Sequence, residues 1–405
     1  MMRNDKWIPV LVIFVVIGLI IRSLFVVALP VSILIILGLS KWWQRHAFDD
    51  VIYRRRFHYI RAFPDERFPL KLEIENKKLL PLSWLRIQDP WPEMIAPEGD
   101  DTLSPSHIQG EGFLTHAFSL RWFQRTQRDY MIHFRKRGVY RVGPAQMSSG
   151  DFFGIYEKNQ EIGSREFITV FPDIVPLERI GLPPEDPFGD QKSRRKLFED
   201  LNRPIGVREY RLEDGFRRVH WPATAKTGDL QVKVFQPTSA RVMMMCINVS
   251  TYERHWEGVN PVYLEHLLSV AATLAKEGLE AGYQVGVISN GCLANSDQPF
   301  RISPGRSPQQ MAHLLQSLAG VTPVVMGRFD RFLVRELPRV PYGATLVVIT
   351  AVIYSGLRET LLRIKKHERR IILISIADDK PQIIEGITIA HFPAADPSNT
   401  QSNTQ

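Results

Sequence analysis

The chain has 405 residues, a hydrophobic fraction of 44%, a charged fraction of 23% and a formal net charge of +8. That length leaves room for two or three domains of ordinary globular composition, and the positive balance favours an acidic partner or surface. Two cysteines, Cys246 and Cys292, are too few for a disulfide scaffold or a zinc site and fit a reducing compartment.

Residues 7–39 are almost wholly apolar, interrupted by Arg22, Ser23, Pro30 and Ser32. As one straight helix they would run about 50 Å, well past a hydrocarbon core of about 30 Å. Two crossings of about 16 residues, folded back near Arg22 and Ser23, fit if flanking side chains snorkel. Trp7, Trp42 and Trp43 then share one interface, and Arg3, Lys6, Lys41 and Arg45 mark it as cytoplasmic. No small-residue cleavage site follows the first apolar run, which argues against a cleaved signal peptide. Residues 1–46 are therefore expected to form a two-helix transmembrane hairpin. The chain is read as multi-pass in the cell membrane, with its bulk in the cytoplasm.

Over residues 47–160 the period becomes two. Phe68, Leu70, Leu72 and Ile74 alternate with Lys71, Glu73 and Glu75, and later runs at 113–122 and 130–134 do the same. Short strands between turn signals predict a small Ig-like β-sandwich. Arg54, Arg55 and Arg56 follow the apolar segment closely and suit either anionic lipid or a solvated strand face. His58, His107, His116 and His133 lack ligand spacing and read as surface or core histidines. Residues 161–205, rich in Pro, Gly and charge and including Lys192, Arg194, Arg195 and Lys196, read as a linker.

Residues 206–236 hold the densest polar stretch, VREYRLEDGFRRVHWPATAKTGDLQVKVF at 207–235. Asp214, Arg217, Arg218 and Trp221 fall at i, i+3, i+4 and i+7. That spacing predicts a short helix over 214–221, with Asp214 at its N-terminal end and Pro222 as its stop. The stretch resembles the signature of the domain-of-unknown-function 58 (DUF58) family: roughly Arg-Glu-Tyr, Gly-Asp, Arg-x-Ile-x-Trp, then Ala-Arg and a strand. The corresponding residues are Arg208, Glu209, Tyr210, Asp214, Arg217, Val219, Trp221, Ala225 and Lys226. Glu213 stands where Gly is usual, Val219 for Ile and Lys226 for Arg. Residues 136–144 and 149–156 resemble the family's Arg-Gly-x-Tyr-x-x-Gly-Pro and Asp-Pro-Phe-Gly elements, with Phe152 in place of Pro. Arg208, Glu209, Asp214, Arg217 and Trp221 are expected to form a partly buried network, the alternative being an exposed docking surface.

Residues 237–393 alternate strands (242–247, 283–289, 345–350, 371–376) with helices (262–281, to Leu318, 357–367), which predicts a doubly wound parallel sheet. Ser307-Pro308-Gln309-Gln310 has the form of a capping box with Pro at the first helical position. Within the family this region resembles a von Willebrand factor A domain. Such domains often hold Mg²⁺ through Asp-x-Ser-x-Ser, a Thr and a later Asp, oxygen ligands suited to a hard cation. Here the matching positions are Asn248, Ser250 and Tyr252, then Thr350 and Ala351, without a carboxylate. A degenerate site is expected, with no metal and no cofactor. The polar tail, 394–405, reads as disordered.

Catalytic motifs are scarce. Cys246 lies among methionines and reads as an inert buried thiol, and neither a phosphate-binding glycine loop nor His-Glu-x-x-His occurs. His220 beside Glu209 or Asp214 could do acid–base work, which keeps an envelope-associated enzyme as the alternative reading. The basic clusters lack interleaved aromatics, so no nucleic-acid partner is expected. The main expectation is a non-enzymatic, membrane-anchored scaffold. The family resemblance implies that its partners include a MoxR-type AAA ATPase, in assembly or maturation of envelope complexes.

Overall fold

Two apolar helices open the chain, α1 (Trp7–Ile21) and α2 (Leu24–His46). Between them Arg22 adopts a left-handed φ of 53°, and Ser23 N donates to Gly18 O at 3.2 Å. The helices meet at Gly18, where a Cβ would stand 2.8 Å from Val27 Cγ2. Glycine lets the two backbones approach, as small residues do between helices in lipid. Elsewhere apolar side chains point outward, Leu24 at 80% and Phe25 at 88% exposure. By length and composition α2, with 23 residues, is long and apolar enough to cross a membrane, and α1 is a shorter apolar helix.

The computed structural model describes residues 7–99, 103–176, 199–211, 219–237, 241–294, 296 and 298–394. The chain divides into two units, Met1–Asp173 and Ile174–Gln405.

After α2 the first unit is built of short strands: β1 (Val51–Phe57), β2 (Arg61–Ala62), β3 (Arg67–Asn76), β4 (Leu82–Pro92), β5 (Leu103–Pro105) and β6 (Glu111–Leu120). They are followed by β7 (Arg125–His133), β8 (Gly138–Val142), β9 (Ala145–Gly150), β10 (Glu157–Ile162) and β11 (Glu166–Val170). Three sheets form, in the orders β1-β3-β7, β10-β9-β4-β6-β5 and β2-β11-β8. They enclose one core in which Leu70, Leu72 and Ile74 of β3 meet Leu85, Ile87 and Trp91 of β4.

The same alternation splits the Arg54-Arg55-Arg56 cluster, which is not one basic patch. Arg55 turns inward and grips Asp89 through two bonds, Nε to Oδ2 at 2.6 Å and Nη2 to Oδ1 at 2.8 Å. Tyr53 Oη also donates to Asp89 Oδ2 at 2.9 Å, and Arg55 Nη1 to Ser164 O at 3.0 Å. Arg56 faces out and pairs with Glu73 at 3.0 Å.

Both short family-like elements in this unit have structural causes. Gly143, at a φ of +78°, has room for no Cβ, because one would lie 2.4 Å from Arg55 Nη2. Tyr140 lies over Gly138, and its Oη donates to Lys136 O at 2.7 Å. The Asp151 carboxylate accepts from Phe153 N at 2.9 Å and Tyr156 N at 2.6 Å, closing the turn between β9 and β10.

The expected linker over 161–205 is too long at both ends. Its first residues belong to β10 and β11, and β11 pairs with β2 and β8. Its last residues belong to β12 (Glu199–Glu209).

In the second unit β12 is followed by α3 (Trp221–Thr227) and pairs antiparallel with β13 (Gln231–Pro237). Then come β14 (Val242–Asn248), α4 (Pro261–Glu280), β15 (Gln284–Leu293), β16 (Pro299–Gly305), α5 (Gln310–Ala319) and β17 (Val321–Val325). The unit continues with α6 (Phe329–Glu336), β18 (Thr345–Thr350), α7 (Ser355–Lys366), β19 (Ile371–Ser375) and β20 (Thr388–His391). The strands make one sheet in the order β16-β15-β14-β18-β19-β20, with β17 also on β15. Neighbours from β15 to β20 are parallel, while β16 and β17 run antiparallel to β15.

Met243 and Val285 press on α4 at Gly278, where a Cβ would sit 2.4 Å from Met243 Cε. Met244, Cys246 and Val348 pack on Phe329 and Leu333 of α6 and on Leu357 and Leu361 of α7. Helices on both faces explain why β14 and β18 are apolar throughout rather than alternating. The expected capping box does not form. Helix α5 begins at Gln310 with no side-chain cap, because the Gln310 amide is buried and donates to Val285 O at 2.9 Å and Ser303 O at 3.0 Å.

Candidate functional site

In the second unit β14 lies between β15 and β18, its neighbours from opposite directions of winding. In open α/β sheets such a switch point, at the carboxyl ends of the strands, is where ligands bind. Asn248 ends β14 and Thr350 ends β18, and both are fully buried.

Their side chains close the gap themselves. Asn248 Nδ2 donates to Thr350 Oγ1 at 2.9 Å, and Thr350 Oγ1 donates onward to Val352 O at 2.8 Å. Asn248 Oδ1 accepts from Ser250 N and from Asn290 Nδ2, each at 3.2 Å. Asn290 Nδ2 also reaches Ser250 Oγ at 3.3 Å and Gly327 O at 3.2 Å, while its Oδ1 accepts from Val249 N at 2.9 Å.

This donor set does not fit a hard dication. Two amide N–H₂ groups project into the cluster, Ala351 offers no side-chain ligand, and Tyr252 is an exposed rim residue rather than part of the network. Among the described residues no group of three or more His, Cys, Asp or Glu side chains is placed to hold a metal. The arrangement can hold loops in place, and it lacks both a negative charge and a proton-transfer group.

Around this closed centre lies a polar and aromatic rim. Gly327 leads into Arg328, whose Nη2 pairs with Asp330 Oδ2 at 2.9 Å, and Tyr354 Oη donates to Asp330 Oδ1 at 3.1 Å. Burial by itself would raise the Asp330 carboxyl, but hydrogen bonds from Arg328, the Arg331 backbone and Tyr354 outweigh it and hold the group below the usual range. Tyr263 donates to Asp378, and that bond leads the causes that push the phenol up to about 12. Trp256 is 70% exposed beside His255.

The signature stretch differs from the predicted helix. Trp221 and Pro222 begin α3 instead of ending a helix, since Pro suits the first turn, where its missing N–H costs nothing. His220 is the N-cap, its Nδ1 accepting from Ala223 N at 3.1 Å. That nitrogen is therefore occupied as the acceptor of the helix cap. Lys226 lies in the last turn of α3, and Gly228 closes the helix in a left-handed conformation.

Val219 and Val232 are both buried and bridge one another, pinning the returning chain onto β13. Tyr210 is half-buried, and its N donates to Leu230 O at 2.9 Å. Arg208 and Glu209 are exposed on β12, and Trp221 is 62% exposed. None of these three is buried; the other expected members of the network, Asp214 and Arg217, lie outside the described residues.

Sequence reading missed Asn290, Arg328, Asp330 and Tyr354. Asn290 left a signal, a lone amide in the apolar run from Val285 to Leu293.

Residues 206–396 match the family described as "Protein of unknown function DUF58". An uncharacterized protein of Bacillus subtilis, YeaD, is 22% identical over 257 residues, 63% of this chain and 58% of its own length. The match thus spans little more than half of that relative. Among solved structures, a CARDB domain from Pyrococcus furiosus, determined with di-metal ions, aligns with 30% of this chain and 92% of its own at 9% identity and a TM-score of 0.21. The sporulation control protein Spo0M of Bacillus subtilis aligns with 30% of this chain and 50% of its own at 12% identity and a TM-score of 0.19. Likenesses this slight carry no argument about fold or activity.

Proposed function

Residues 206–396 belong to the DUF58 family, and for this member we propose the role of a membrane-anchored scaffold whose second unit, a von Willebrand factor A-like domain, docks protein partners. One observation carries the reading. The switch point is filled by a neutral, internally satisfied network, while Arg208, Glu209 and Trp221 of the signature are displayed to solvent. Exposed Trp and Arg are the side chains that dominate protein interfaces. The apolar helix pair anchors the chain as a two-pass hairpin with both ends cytoplasmic, as the Trp and Lys/Arg flanks favour. The family resemblance supplies the partner class, a MoxR-type AAA ATPase acting on envelope complexes.

The test uses full-length protein in nanodiscs and the MoxR-type ATPase of the same cell. Trp221→Ala and Arg208→Ala should each weaken binding roughly tenfold or more, the effect of losing an interface hot spot. Their melting temperatures should match the parent, because the side chains are exposed. Unchanged binding in both variants, or turnover of an envelope substrate that Glu209→Gln abolishes, would overturn the proposal.

A further inference from the structure

Large apolar side chains are exposed on three loops of the first unit: Leu79 (75%), Trp122 (61%) with Phe123 (63%), and Phe152 (68%) with Phe153 (58%). They come from the β3–β4, β6–β7 and β9–β10 connections, yet hydrogen bonds gather all three loops around the end of α2. Lys78 Nζ donates to Ala47 O and Asp49 O, both at 2.7 Å, which fixes the β3–β4 loop to the chain leaving α2. Leu79 and Trp42 line the same surface recess.

The β6–β7 turn is tied to that loop in turn. Phe123 N donates to Lys78 O at 3.3 Å, and Asn76 Nδ2 donates to Arg121 O at 3.0 Å. On β10, Gln44 Nε2 donates to Glu157 O at 2.7 Å and Lys158 Nζ donates to Arg45 O at 3.0 Å. The start of β10 is thus held against the last turns of α2, and the turn displaying Phe152 and Phe153 leads directly into it.

Two of these tips are held rigidly. The buried Asp151 carboxylate binds two backbone N–H groups of the turn that displays Phe152 and Phe153. Phe123 is kept at a left-handed φ of 52°, a conformation that non-glycine residues rarely adopt.

We propose that Leu79, Trp122, Phe123, Phe152 and Phe153 form a collar that enters the headgroup region of the lipid bilayer around the end of α2. The inference rests on the reading of α2 as a membrane span. Three features select lipid as the occupant. The loops or the strands they lead into are tied to residues 44–49 at the end of α2, directly or through one another, Leu79 shares a recess with Trp42 of the span, and the collar is rich in the aromatic side chains that settle at the membrane interface. The strand domain would then rest flush on the membrane, held at several points around α2.

The test places an environment-sensitive fluorophore on single cysteines in the full chain, reconstituted into phosphatidylcholine–phosphatidylglycerol vesicles with and without shallow spin-labelled lipid. Cys246 and Cys292 are buried, so the label goes to the introduced thiol. The sites are Trp122→Cys and Phe152→Cys in the collar, Ile35→Cys on α2, and Ile108→Cys. Ile108 is 60% exposed just before β6, at the opposite end of that strand from Trp122.

The proposal expects blue-shifted emission and strong quenching at 35, 122 and 152, and neither at 108. Quenching at 35 without quenching at 122 and 152 overturns the collar while leaving the anchor in place. No quenching at 35 overturns both readings. Self-quenching at 122 and 152 that grows with the protein-to-lipid ratio, without quenching by spin-labelled lipid, assigns the surface to a second copy and overturns the lipid assignment.

Discussion

Asn248→Asp is the change that tests most directly what the switch point has become. The wild-type amide donates to Thr350 Oγ1 and accepts from Ser250 N and Asn290 Nδ2 at zero exposure. A carboxylate keeps the two accepted bonds but donates nothing. Thr350 Oγ1 already directs its proton to Val352 O, so two oxygens would face each other at about the present 2.9 Å. Losing a buried donor costs about 1–3 kcal/mol, and an unpaired buried charge adds to it.

For a unit of this size about 1 kcal/mol corresponds to roughly 2–4 °C, so a fall of about 5 °C or more is expected at pH 8. Burial would raise the new carboxyl above its unfolded value near 3.9. The variant should therefore be closest to wild type at low pH and lose stability as pH rises through the raised value. Thermal unfolding of full-length protein in detergent, between pH 5 and pH 8 and with and without Mg²⁺, reads all of this. A variant as stable as the parent at pH 8 without Mg²⁺, or a wild-type protein that Mg²⁺ stabilises specifically, would refute the account of a neutral, closed centre.

Two further outcomes follow from the first unit. Asp89→Ala leaves the Arg55 guanidinium and the Tyr53 hydroxyl without their shared acceptor, and should cost about 3–5 kcal/mol; denaturant unfolding should show the double variant Arg55→Met, Asp89→Leu losing less than the sum of the singles. His116 is nearly fully buried, and burial, with Arg128 adding to it, lowers its pKa to about 4 from an ordinary 6.5. A depressed histidine stabilises the fold fully above pH 6.5 and loses that contribution as pH falls toward 4, so His116→Gln should flatten the stability profile across that window.

The sequence spoke most clearly where one physical pattern dominated. The alternation in β3 and the unbroken apolar strand β14 lie where expected because burial fixes their patterns, and the apolar run of 7–39 forms two helices broken at Arg22 and Ser23. It misled where one residue type serves opposite purposes. Pro222 read as a helix stop, yet it sits in the first turn of α3, a position proline favours equally. Ser307 and Gln310 matched a cap by spacing, but the Gln310 amide is used to tie β15 to β16. β11 was hidden because Glu166–Val170 is too short to establish a period and adjoins Pro-rich sequence. At the site, Asn248, Ser250 and Thr350 were legible as positions, but Asn290 was not, because its side-chain partners are 37 residues or more away in the chain.

The clamp of Lys78 on Ala47 O and Asp49 O has a mechanical consequence. Only residues 47–50 separate α2 from β1, and Ala47 and Phe48 are buried. There is no slack at this joint, so a twist or tilt of α2 is delivered to the strand domain as a rigid lever would deliver it. With α2 in a bilayer, a partner bound to that domain would be confined to a layer roughly one domain diameter deep, about 30–40 Å. Encounters within that layer would be governed by surface density, and modest intrinsic affinities would be enough to sustain assembly.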